Sequence, residues 1–282
     1  MAELAECAGR PLEYPHGQED STVDRRSFFG LMGGMGMMAA ARPGGATGEK
    51  RTGFYVLETF YLQQGSQVGR MHDYFNKIVM PALQRVEYAG PVIFLEALVA
   101  PHMPQMVAVY GFQSLEHMWG VHMHIHKDPE ITKNFEQWDS GDPPFDQASS
   151  TLLQASDYSP EIVAPAEPPK TPRLFELRVY HSPTWRQLKA LHERFAGPEI
   201  QIFHRAGVHP VLYTSTVIGT NMPNLTYLIP FENLAAREKA WEAFAGDPEW
   251  IKVRKESIEK HGQMSSVIQI SLFKATAYSP VR

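Results

Sequence analysis

Residues 54–62 and 174–181 alternate apolar and polar positions or are rich in aromatics. Both predict strands, because a period of two puts successive side chains on opposite sheet faces. Apolar residues then recur at i, i+3 and i+7, as Val68, Met71, Phe75 and as Leu188, Leu191, Phe195. That spacing marks one face of a helix. In each case two further strands follow, joined by a Pro-containing turn: 92–99 with 106–112, and 211–218 with 225–231. Helices start near Ser114 and Asn233, and Asp128-Pro129 and Asp247-Pro248 open further ones as N-cap and first helical residue. A last strand closes each set, at 150–158 and 266–278.

The two sets are copies of one unit. At an offset of 119, residues 91–130 match residues 210–249 without a gap, with Met103-Pro104 on Met222-Pro223 and Asp128-Pro129-Glu130 on Asp247-Pro248-Glu249. Before and after that block the offset is 120: Met71-His72-Asp73 meets Leu191-His192-Glu193, and Tyr158-Ser159-Pro160 meets Tyr278-Ser279-Pro280. A fixed internal period is the signature of a duplicated structural unit. The βαββαβ order is ferredoxin-like, with helices on one face of an antiparallel sheet. The other face needs cover, and the second copy supplies it. The expected fold is α+β: two ferredoxin-like repeats, 53–159 and 173–282, forming one pseudo-dimeric α/β barrel. Residues 160–172 carry five prolines and form the expected extended linker.

Composition adds a leader and removes some partners. Arg25-Arg26, Phe28-Phe29 and a weakly apolar, glycine-rich stretch ending in Ala39-Ala40-Ala41 read as a twin-arginine signal over 1–41, placing the mature protein in the periplasm or outside the cell. The stretch is shorter than the roughly 20 apolar residues a bilayer span needs, so the mature chain is expected to have no membrane span. The net charge of −5 falls to about −2 without residues 1–41, a balance that does not point to nucleic acid. Cys7 is the sole cysteine and lies in that leader, so the mature chain has no thiol chemistry. A homo-oligomer is compatible with the sequence.

Glu176-Leu177-Arg178-Val179-Tyr180, with Pro183 after it, resembles the opening of NIPSNAP domains. Phe231-Glu232-Asn233-Leu234-Ala235-Ala236-Arg237 resembles a later passage of the same family, and the first half keeps Phe112-Gln113-Ser114-Leu115 and Leu62 with Gly65. The first half departs at Val56, Glu58 and Phe60, and has Met118 where the second has Arg237. The resemblance implies a dimeric α/β-barrel fold completed within one chain, with Arg178 and Arg237 as family positions. It implies no assigned reaction: some relatives of the fold are oxygenases or haem proteins, and others only bind.

Alternation separates Glu176, Arg178 and Tyr180 from Phe175, Leu177 and Val179. If the apolar set faces the helices, the polar set faces the barrel interior, where Glu58 of the first half would pair with Arg178. Tyr110, Tyr213, Tyr227 and Glu96 are expected on the same interior faces, completing a pocket. Arg178 as oxyanion stabiliser and Tyr180 or Glu58 as proton carriers are the catalytic candidates. A structural ion pair in a filled barrel reads equally from these residues. His72 and His192 share one repeat position, beside the apolar stripe of the first helix. His122 and His126 are spaced i, i+4 and could share a metal, but the second half has Trp241 and Ala245 there and no metal is expected. No phosphate loop, nucleophile elbow or dinucleotide fingerprint occurs, and no cofactor is expected. The leading function is binding of a small organic ligand between the two sheets, with weak acid–base or oxygenase-type chemistry as its finer form. The alternatives are a non-catalytic interaction module with a filled barrel, and a haem protein ligated by His72 or His192.

Overall fold

The structure is a computed structural model that describes residues 51–167 and 169–282. The leader read over residues 1–41 lies outside the described residues. The first half contains β1 (Phe54–Tyr61), α1 (Ser66–Asp73), α2 (Met80–Arg85), β2 (Val92–Val99), β3 (Gln105–Phe112), α3 (Leu115–Lys127), α4 (Pro129–Asp139) and β4 (Gln147–Ala155). The second repeats the order with β5 (Leu174–His181), α5 (Trp185–Arg194), α6 (Ile200–Ala206), β6 (Leu212–Ile218), β7 (Asn224–Phe231), α7 (Leu234–Gly246), α8 (Pro248–His261) and β8 (Val267–Ala275). Ser114, Asn233, Asp128 and Asp247 are N-caps whose side chains accept backbone N–H groups. The turns β2–β3 and β6–β7 both carry a cis Met-Pro bond, at Met103-Pro104 and Met222-Pro223.

The eight strands close into one antiparallel barrel in the order β1-β3-β2-β8-β5-β7-β6-β4. Each half contributes four adjacent strands, and the halves meet at two seams, β2–β8 and β4–β6. The last strands end at Ala155 and Ala275, so Tyr158 and Tyr278 stand in the turns beyond them and not in the strands expected to reach them.

Those turns clasp the two halves reciprocally. Ser279 Oγ accepts the backbone N–H of Phe94, and Ser159 Oγ accepts that of Tyr213, each at 3.0 Å and each from the opposite half. The backbone N–H groups of Thr276 and Ser156 bond Phe94 O and Tyr213 O in the same pattern. The repeated Tyr-Ser-Pro sequence is thus the point where each copy grips the other.

Three apolar layers result. Helices of the first half bury Met71, Phe75, Leu83 and Val121 on Val56, Phe60, Phe94 and Phe112. Helices of the second bury Leu188, Leu191, Phe203 and Phe244 on Tyr180, Tyr227, Ile229 and Phe231. Inside the barrel, Tyr55, Leu57, Leu95, Val109, Phe175 and Phe273 interdigitate, with Ile162 of the linker and Val281 buried among them. At about 25 cal/mol per Å² of apolar surface, this two-sided burial of one sheet is the main stabilising term.

Candidate functional site

Both faces of the sheet are buried, and this reverses the facing expected for β5. Phe175 packs inside the barrel, whereas Glu176, Arg178 and Tyr180 lie on the helix-facing side, Glu176 and Arg178 beneath α7 and Tyr180 against Phe195 and Tyr227. The reason is the supply of partners. A charge inside the barrel would meet the aliphatic chains of the other strands, whereas α7 offers Arg237 and Trp241. Glu176 is 0% exposed and accepts from Arg178, from Arg237 and from Trp241 Nε1 at 3.3 Å. Arg178 also donates to Tyr180 Oη at 2.8 Å and stacks on Trp241, 3.7 Å from the ring centroid. The cluster is internally satisfied, which is the structural ion-pair reading of these residues.

The remaining expected residues follow the same inversion. Tyr213 and Tyr227 stack on each other, with ring centroids 5.8 Å apart, in the helix-facing layer of the second half. Tyr110 occupies that layer in the first half, and Glu96 binds His72 and Lys274 at the β2–β8 seam. Glu58 is 5% exposed on the helix-facing side of β1, and burial pushes its carboxyl up to about 8. It does not pair with Arg178: β1 and β5 stand on opposite walls of the barrel, and the two side chains enter different helix layers. His122 and His126 bring their rings within 4.2 Å, and burial followed by His126 pushes His122 down to about 4. Among the described residues no group of three or more His, Cys, Asp or Glu is placed to hold a metal.

What the barrel does contain is a mouth. Its base is filled, while the end bearing the two cis-proline turns opens into a cavity of about 280 Å³. Interior positions line it from both halves, including Thr59, Thr151, Thr216, Thr226, Gln269 and Ser271, above a floor of Leu57, Leu153, Leu177 and Val179. None of the described lining residues carries a charge; hydroxyls and amides supply the polarity. Asn224 organises one wall, where its Oδ1 accepts from Thr216 at 2.8 Å and Thr226 at 3.0 Å and its amide donates to Thr220 O and Asn221 O. The mouth escapes the strand reading because Thr59, Thr151, Thr216, Thr226, Gln269 and Ser271 sit on five separate strands, β1, β4, β6, β7 and β8, and converge only when the barrel closes.

A second polar group sits outside the barrel at each seam. His72 Nδ1 is 3.0 Å from Tyr278 Oη, and His192 Nδ1 is 2.6 Å from Tyr158 Oη. The sequence signal for these pairs is present in the repeat, which aligns the two histidines and the two tyrosines; their meeting across the seam is a property of the closed barrel.

No curated protein matches the chain in sequence. Among solved structures, it is similar to a putative monooxygenase from Fusobacterium nucleatum, with a TM-score of 0.52 and 8% identity over 80% of this chain and 93% of that one. A chlorite dismutase from Candidatus Nitrospira defluvii covers the same 80% share, with 92% of its own chain, at 9% identity and a TM-score of 0.45. A NIPSNAP family protein of unknown function from Agrobacterium tumefaciens matches 39% of this chain over 94% of its own, at 19% identity and a TM-score of 0.35. At such identities the likeness concerns the fold alone: an α+β barrel of ferredoxin-like halves. The NIPSNAP family model matches residues 175–280, the half that carries Glu176, Arg178, Tyr180 and Arg237. That half is therefore similar to a NIPSNAP domain, over 106 of the 282 residues of the chain.

Proposed function

We propose that this protein binds a small, uncharged, hydroxyl- or amide-bearing organic molecule in the mouth of its barrel. The observation that carries the reading is a concave site of about 280 Å³, between the two sheets, whose polar lining is wholly neutral. An ionised ligand there would give up its hydration without gaining a counter-charge, whereas a neutral polyol, amide or carbonyl compound finds matched donors and acceptors. The apolar floor supplies the contact area typical of small-molecule sites.

The test is a thermal-shift screen of uncharged polyols, sugars and small amides, with native mass spectrometry of the purified chain. A ligand at a hundred times its Kd should stabilise by about 2.7 kcal/mol. Ser271→Trp, which fills the mouth, should abolish that shift. No stabilising neutral compound and no co-purifying mass, or a shift that persists in Ser271→Trp, would overturn the reading.

The leader read at residues 1–41 supports export as part of the same proposal. N-terminal sequencing of the mature protein should begin just after Ala41, and an intact Met1 would defeat it.

A further inference from the structure

The duplication provides an internal comparison at the two seams. In the β2–β8 seam His72 faces Tyr278 on one side and Glu96 on the other, at 3.6 Å, and Lys274 pairs with Glu96 at 3.0 Å. The repeat places Ser215 where the first half has Glu96, and Gln154 where the second has Lys274. The ion pair that occupies one seam is therefore missing from the other. There the space is an open cleft of about 510 Å³ lined by Gln154, Tyr158, His192 and Ser215.

Within the cleft the polar groups form a chain. His192 Nε2 lies 2.7 Å from Ser215 Oγ, and Nδ1 lies 2.6 Å from Tyr158 Oη. With the proton on Nδ1 and donated to Tyr158, Nε2 accepts the Ser215 hydroxyl. Burial lowers the imidazole pKa and keeps the ring neutral, the state a base requires. Gln154 stands directly opposite Ser215 in the β4–β6 pairing. Opposed residues on one sheet face have Cβ atoms about 5 Å apart, which puts the Gln154 amide within reach of a group bonded to Ser215.

We propose that Ser215 is an acyl-accepting nucleophile, with His192 as its general base and Gln154 as oxyanion donor, acting on small uncharged or cationic esters. The rim acids Asp157 and Glu193 disfavour anionic ones. In the first step Ser215 Oγ bonds the carbonyl carbon and its proton passes to His192 Nε2, while the carbonyl oxygen takes up the electron pair beside Gln154. Collapse breaks the ester C–O bond, and the leaving alkoxide takes the proton from Nε2. Water then attacks the acyl-serine through the same transfers, releasing the acid and restoring Ser215. Tyr158 touches no reacting atom and is a positioning residue that holds the ring's tautomer. This site lies outside the barrel, so it stands or falls separately from the mouth.

The full chain is treated with an alkyl fluorophosphonate and mapped by peptide mass spectrometry, and p-nitrophenyl acetate turnover is followed in parallel. One adduct is expected, on Ser215. His192→Gln should slow labelling at least about 100-fold, the size of a general-base contribution. Tyr158→Phe should lower kcat and leave KM unchanged. The double variant Gln154→Lys/Ser215→Glu, which rebuilds the occupied seam, should fold and take no label. Absence of a Ser215 adduct in the wild-type chain, or equal labelling of His192→Gln, overturns the proposal; the wild-type result decides whether or not a variant folds.

Discussion

Glu58 and Glu176 show how far the environment of a single buried carboxyl reaches. Glu176 has two guanidinium partners and an indole N–H, so removing this shared carboxylate leaves the buried Arg178 guanidinium stranded in the helix layer. Glu176→Leu should lower stability by about 3–5 kcal/mol, read by urea unfolding. Double replacement with Arg178→Met should recover most of that loss, since it removes the stranded charge while Arg237 keeps Glu238. Glu58 is the opposite case: burial raises its carboxyl to about 8, above the value of 4.5 for the free group. The folded state then keeps a proton that the unfolded chain releases, so stability is greatest below pH 4.5 as far as this group is concerned. It falls between pH 4.5 and 8 by about 1.4 kcal/mol per pH unit, then levels off. Glu58→Gln should remove that slope from the pH dependence of urea unfolding; an unchanged slope would show that Glu58 is ionised in the folded protein. The identities of these residues stood out from the sequence, as polar positions in apolar strands. Their direction did not, because alternation fixes only which residues share a face, and here both faces are buried.

At the scale of elements, the pieces most legible beforehand were those whose chemistry is local. Asp128-Pro129-Glu130 and Asp247-Pro248-Glu249 cap α4 and α8, and each also receives an arginine from the preceding helix pair, Arg85 and Arg205. A cap needs only its own neighbours, so the motif announces it. The clasp needs the other half of the molecule, and the sequence offered only a repeated Tyr-Ser-Pro without a partner. Ser159→Ala and Ser279→Ala each strand a backbone N–H between the halves, so each should cost about 1–3 kcal/mol in chemical denaturation. The two sites lie at opposite seams and share no partner, so the losses should add in the double variant. The strand ends at Ala155 and Ala275 have the same origin, because Tyr158 and Tyr278 leave their strands to meet histidines of the opposite half.

For the whole molecule, the duplication implied a barrel before any contact was known, since each half exposes an apolar sheet face that only another such sheet can cover. Residues 173–282 expressed alone retain that need, and light scattering should find them as a homodimer that rebuilds the barrel; a folded monomer would contradict the role given to the interior layer. The mouth and the two unlike seams were not readable, since each is assembled from residues far apart in the chain and from both copies. The linker that joins the copies, with Ile162 anchored in the barrel base, has a further consequence. Tethered partners meet at an effective concentration of about millimolar, whatever the amount of protein in solution. A pair held in that way has no need of identical members. One seam is free to spend its polar residues on an ion pair while the other leaves its space open, a division of labour that a symmetric dimer of one short chain cannot encode.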